Sequence, residues 1–230
     1  MYDQVITDIL LVENDTGLCL CDYCGNEYLT ENKDDAGDVF VCEQCLNKNL
    51  ADVIVDYCQR TRSKKPVDIA THLMKFPTFK MHCPDHHLLV PAVLLSAYCN
   101  ANNKRRQLKR WLKLAKARAQ FVPGAFCGTH GACGAAVGTG LFMSIITGAT
   151  PLKTFEWELA NSMTGRSLLQ MAPYGGPRCC KRVSFVAIIE AVRFVNERFD
   201  ERIPMPDNIH CTFNERNTEC LKNDCPFWQN

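Results

Sequence analysis

"GAFCGTHGACGAAVGTG", residues 124–140, sets two cysteines and a histidine at the mouth of an apolar stretch almost free of bulky side chains. Residues 131–152 carry no charge, are flanked by Arg118 and Lys153, and contain Gly134-x-x-x-Gly138. That length can cross a bilayer. Its glycines and threonines dilute the hydrophobicity, so the expectation is a buried central helix and no membrane association. A helix of small residues is buried only if other helices cover it, and the flanking segments supply them.

"PDHHLLVPAVLLSAYCN", residues 84–100, is apolar throughout, with Pro91 either kinking it or opening its regular part. Residues 103–119 are amphipathic, with Leu108, Trp111, Leu112, Ala115 and Ala119 on one face and basic residues elsewhere. Further helices are expected near 131–147, 154–171 and 180–199, the last with clear 3-4 apolar spacing. Upstream, Leu50, Val53, Ile54 and Tyr57 share one helical face, and "RTRSKKP" reads as a linker. Pro66, at a first-turn position, opens a short helix to about Lys75, and Pro77 stops it. The C-terminal "HCTFNERNTECLKNDCPFWQN", residues 210–230, has no periodicity, so something other than burial is expected to hold it. The expected fold class is mainly α: a small N-terminal β zinc ribbon with a trailing helix (1–60), then a helical cysteine-rich core domain (61–230).

Fifteen cysteines in 230 residues are the compositional outlier. "MYDQVITDIL" has no basic n-region, so no secretory signal is read and a cytoplasmic location is expected. Thiols kept reduced, and odd in number, point to metal or redox chemistry rather than disulfides. The net charge of +1 hides an asymmetry. Residues 1–56 hold thirteen acids against two lysines, whereas residues 86–155 hold nine Lys/Arg and no acid. Either the two segments dock or the middle one meets an anionic partner.

Cys21-x2-Cys24 and, seventeen residues on, Cys42-x2-Cys45 have four-thiolate spacing, with Gly25 suited to the tight turn after the first pair. A structural zinc is the expectation, although four thiolates also hold iron. Cys19 reads as a bystander.

In the opening stretch Cys127, His130 and Cys133 fall at a helix start, where unpaired N–H groups favour thiolates. Cys179 and Cys180 follow Gly175-Gly176-Pro177 beside Arg178, Lys181 and Arg182, cations that lower a thiol pKa. Adjacent residues on a helix diverge by about 100°. One of the vicinal pair therefore ligates while the other serves elsewhere. Three ligands would leave one metal position open, as catalysis requires. Glycines 131, 134, 138 and 140 would let a bulky cluster, or another backbone, approach the helix. "MHCPDHH" adds His82, Cys83, Asp85, His86 and His87, as ligands or proton shuttles, or as a polar turn capped by Asp85. Cys211, Cys220 and Cys225-Pro226 could form a second metal site or close over the first. "KRRQLKRWLKLAKAR", residues 104–118, carries eight basic side chains, either an RNA-binding stripe or a solvated helix face.

"HCPDHHLLVPAVLL", "VPGAFCGTHGACGAAVGTGLFMSIITGATPL", "ANSMTGR", "GGPRCCKRVSFVAIIEAV" and the terminal "CPF" resemble the prokaryotic family of unknown function 5714. That family is associated with anaerobes, including methanogens, where it occurs beside radical-SAM modules. The resemblance covers about residues 66–228. It implies that His86, His87, Cys127, Cys133, Cys179, Cys180 and Cys225 belong to the family pattern. Cys83 stands where that pattern has glycine, and the basic helix is not part of it. A looser likeness links the glycine-rich, cysteine-bearing helix to oxygen-sensitive serine dehydratases and cysteine desulfidases, in which three cysteines hold a [4Fe–4S] cluster with one open iron.

Together these give the expected function: a [4Fe–4S] enzyme of anaerobic sulfur metabolism, a lyase, desulfidase or sulfurtransferase. Cys127, Cys133 and Cys180 would be ligands and Cys179 a reactive thiol. His86, His87 or His130 would move protons, and Arg178 or Arg182 would hold an anionic or sulfur-containing substrate. The alternatives are a non-catalytic zinc module docking RNA or a protein partner, the latter through the ribbon, and an accessory that delivers metal or sulfur.

Overall fold

The computed structural model describes residues 17–30 and 39–229. The acidic N-terminus and most of the polar loop between the ribbon's cysteine pairs lie outside the described residues. Gly17–Leu20 (β1) pairs antiparallel with Glu27–Thr30 (β2), Cys19 standing opposite Tyr28. The helices are Glu43–Leu46 (α1), Leu50–Arg60 (α2), Pro66–Met74 (α3), Asp85–Ala101 (α4), Arg105–Ala119 (α5), Phe126–Thr129 (α6), Gly134–Thr147 (α7), Thr154–Met171 (α8) and Cys180–Arg198 (α9). The molecule is thus mainly helical with a small two-stranded sheet. Among the described residues no helix is long and apolar enough to cross a membrane.

α4 occupies the centre. Its buried positions include every residue from Leu88 to Asn100, so no face is left for solvent, and it touches α2, α3, α5, α7 and α9. A helix apolar all round is stable only inside such a cage. Pro91 lies within α4 and removes the N–H that would bond the His87 carbonyl, yet the helix runs through it.

The glycine-rich helix packs against α4, α5, α8 and α9, and its glycines are contact points between helices. A Cβ at Gly134 would overlap the His87 ring; at Gly138 it would stand 2.9 Å from Pro91 Cδ and 3.2 Å from the His87 carbonyl oxygen; at Gly140 it would meet Thr164 Oγ1. The space over Gly134 therefore belongs to an imidazole of α4. Of the two expected roles for these glycines, close approach of a neighbouring helix is the one observed at Gly134, Gly138 and Gly140. Gly131 differs: its φ of +64° makes it a turn residue before α7.

The N-terminal unit shares this core. Tyr23 is buried, packs edge-on against Phe76 and donates to the His72 carbonyl at 3.0 Å. α2 lies on α4 and α5, and the linker is fastened by Asn100 Nδ2, which donates to the carbonyls of Thr61 and Ser63. The C-terminal segment corrects an expectation. Burial does hold it, through Phe213 and Phe227, the latter edge-on to Phe185 at 5.4 Å. Two aromatic anchors fourteen residues apart make no periodic pattern, which is why the sequence hid them.

Candidate metal centres and cleft

Cys21 and Cys24 flank the turn that leaves β1, where Gly25 has φ +74°. The second pair lies on a helical turn. Cys42 is the N-cap of α1 and Cys45 lies inside it, because a three-residue step along one helical turn brings both sulfurs to the same side. Cys21–Cys45 and Cys24–Cys42 sulfurs are 3.8 and 3.7 Å apart, and all four lie within 4.8 Å of one another. A tetrahedron with metal–sulfur bonds near 2.3 Å has edges of about 3.8 Å, so the set could hold one metal ion. Burial pushes the Cys45 thiol up, and the neighbouring thiols of Cys42 and Cys21 push it further. Four ionised sulfurs at this spacing need a cation between them. Cys19 is not in the set.

A cleft of about 780 Å³ opens where the N-termini of α4, α7 and α9 converge beside the C-terminus of α8. Its walls include Cys127, Cys133, Cys180, His86, His87 and Arg178, drawn from segments far apart in sequence. His82, Cys83 and Arg182 also reach it. Three helix N-termini give the cleft a positive partial charge that favours thiolates and anions. Cys127 sits on the one-turn α6 and is exposed, whereas Cys133 is the N-cap of α7. Burial raises the Cys133 thiol, opposed by the backbone N–H groups of Ala135 and Ala136. Burial pushes Cys180 up to about 11, against a hydrogen bond from the Cys83 backbone. The three thiols share the cleft but are outside the spacing of a single-ion site.

Two of the cleft histidines, His86 and His87, point Nδ1 at a backbone carbonyl. His86 Nδ1 is 3.0 Å from the Cys83 carbonyl, and His87 Nδ1 is 2.9 Å from that of Val122. A proton on Nδ1 leaves Nε2 as a bare lone pair, the arrangement that orients a base or a metal ligand. His86 is 1% exposed, its Nε2 is buried without a hydrogen-bond partner, and burial, then Lys181, hold it well below the ordinary imidazole range. It is neutral. Asp85 is in the first turn of α4 but makes no side-chain cap; Pro84 holds that position.

Two expected members do not line the cleft. His130 is exposed, stacked on Phe126, with Nδ1 2.8 Å from Thr129 Oγ1. Cys179 is turned the other way from Cys180. As N-cap of α9 it accepts from Arg182 N at 3.5 Å, and it is buried beside a small pocket that Cys211, Cys220 and Cys225 also line. The divergence of the vicinal pair was legible in sequence; the destination of Cys179 was not. Arg182 is buried, and its Nη2 donates to the carbonyls of Gly175 and Pro177 at 3.0 and 3.1 Å. Those bonds hold the turn before α9, whereas Arg178 is exposed on the cleft wall.

The basic helix is half committed inside the protein. Lys104 pairs with Glu201 and Lys116 with Asp52, both at 2.5 Å, and Arg118 donates to Ser144 Oγ. Arg105 donates to the carbonyls of Thr61 and Gln59 and to Asn100 Oδ1. Arg106, Lys109, Arg110 and Lys113 are exposed and fall on one stripe of α5. Lys116–Asp52 joins the acidic and basic segments at one point, while the anionic-partner alternative draws on the exposed stripe.

Residues 54–228 match a family of unknown function (DUF5714). No curated protein and no solved structure matches the chain. The chain belongs to that family.

Proposed function

We propose that this member of the family is a metal-dependent enzyme whose active site is the cleft at the N-termini of α4, α7 and α9. The observation that carries the proposal is that Cys127, Cys133, Cys180, His86 and His87 line one cleft at three helix N-termini. Cys127, Cys133 and Cys180 would supply three thiolates to a [4Fe–4S] cluster, and such a cluster contributes Lewis-acid chemistry at an open iron. His86 or His87 would move a proton, each ring oriented by a backbone carbonyl at Nδ1. Arg178 and the helix N-termini would orient a carboxylate or thiolate. A small sulfur-containing acid fits this charge pattern, with desulfuration, elimination or sulfur transfer as the reaction class. The four ribbon thiols would hold structural zinc.

Full-length protein prepared anaerobically should contain iron and acid-labile sulfide and release sulfide or ammonia from small thiol-bearing carboxylates. Cys133→Ser and Cys180→Ser should remove the same iron, and His86→Gln should lower kcat while keeping it. Iron-free wild type, or turnover indifferent to all three changes, refutes the proposal. A second reading, a module that docks RNA, draws on the exposed stripe of α5.

A further inference from the structure

We infer that Cys179, Cys211, Cys220 and Cys225 hold a second iron–sulfur cluster, in a pocket lined by none of the cleft's three thiols. This inference does not rest on the function proposed for the cleft. Four thiols from segments more than thirty residues apart converge on one pocket walled by Phe185, Phe213 and Phe227. Their sulfurs are not gathered within the 4.8 Å that the ribbon thiols satisfy. A set spread more widely than one ion's tetrahedron suits ligands that must reach around a cluster. Cys225-Pro226 has the ligand-proline order of ferredoxin-type runs.

Burial raises the Cys179 and Cys211 thiols, and backbone N–H groups oppose it. Cys179 Sγ accepts from Arg182 N, Cys220 Sγ accepts from Lys222 N at 3.4 Å, and the backbone of Phe213 hydrogen-bonds Cys211. Charge gives an independent indication. Arg182 is 2% exposed, lines this pocket, and its Nε has no hydrogen-bond partner. Lys181 is fully buried; its Nζ donates to the Lys80 carbonyl at 3.3 Å and lies over the Phe79 and Phe213 rings, at 4.3 and 5.2 Å. The ion pairs among the described residues involve neither cation, nor Arg216 nearby. Buried cations are expensive unless something negative answers them, and a cluster with four thiolates carries net negative charge. The pocket is about 10 Å³ in this conformation, room for roughly one atom. Cluster assembly therefore pushes outward the segment 211–228, whose helices are single turns.

The test uses the full chain, purified anaerobically, with iron, sulfide and zinc counted and the reduced protein examined by electron paramagnetic resonance. Cys220→Ser and Cys225→Ser should each lose about four irons and four sulfides while keeping the ribbon's zinc. The double variant Cys133→Ser/Cys180→Ser leaves this pocket's thiols intact and should retain about four irons with a cluster signal. That measurement stands even if the C-terminal variants fail to fold. A failed cleft proposal appears separately, as a double variant with the same iron as wild type. Iron absent from the double variant, or a single zinc lost from Cys225→Ser, overturns the inference.

Discussion

Replacing Gly138 with alanine separates two accounts of α7 by the sign of one number. In an unencumbered helix interior the change gains about 1 kcal/mol, because alanine loses less backbone entropy. Here the added Cβ would stand 2.9 Å from Pro91 Cδ, 3.2 Å from the His87 carbonyl oxygen and 3.3 Å from Val90 Cβ. None of these is the free end of a flexible chain: one is a pyrrolidine ring, one is backbone and one is a β-branched root. All three belong to α4, which is packed on every side and has no room to retreat. Overpacking of that kind costs about 1–3 kcal/mol, which outweighs the propensity gain by about 1 kcal/mol. For a chain of this size, that lowers the melting temperature by about 2–4 °C. Gly138→Val, with two more carbons in the same gap, should fall further. Thermal melts of the three proteins, followed by helical circular dichroism under identical metal loading, decide it. A melting temperature that rises with alanine refutes the close approach of α4 and α7.

Chelation of the full chain should lower its melting temperature and release one divalent ion, and Cys42→Ser should remove both effects, since metal binding there is folding free energy. A metal-free wild type insensitive to chelator contradicts this. Burial holds His72 below its ordinary pKa, so the unfolded chain takes up that proton first as pH falls. Stability should therefore drop below about pH 6.5, and His72→Gln should flatten the slope by at most about 1.4 kcal/mol per pH unit; an unchanged slope in a urea-unfolding series rules it out. If α5 meets RNA, changing Arg106, Lys109, Arg110 and Lys113 together to Gln should reduce the log–log salt slope by about 0.7 per contact, about 3 in all. Loss of binding only when Arg105 is replaced would point instead to a structural effect, because Arg105 already bonds Gln59, Thr61 and Asn100.

Much of the candidate chemistry was readable along the chain wherever the residues concerned are neighbours. Cys21-x2-Cys24 and Cys42-x2-Cys45 each fit one turn, so their spacing alone pairs the sulfurs, and only the joining of the two pairs required the fold. α8 and α9 came from their spacing with little error. α7 starts three residues later than its apolar run, because Cys133 caps it and Cys127 sits on a helix of its own. Small residues signal that something comes close without naming it, and the visitor at Gly134 proved to be the His87 ring.

From sequence come the helical class, the all-round apolar α4, the four-thiol set and the divergence of Cys179 from Cys180. These follow from periodicity and from steps of one to four residues, which backbone geometry fixes locally. Tertiary structure alone decided where those side chains arrive. It gathered three helix N-termini at one cleft, sent Cys179 to the C-terminal thiols, and left Arg182 buried with an unpartnered Nε. It also withdrew Lys104, Arg105, Lys116 and Arg118 from the basic face. A helix's pattern says which face is apolar; the packing of its neighbours sets which distant residue covers that face, and those distances have no counterpart in local spacing.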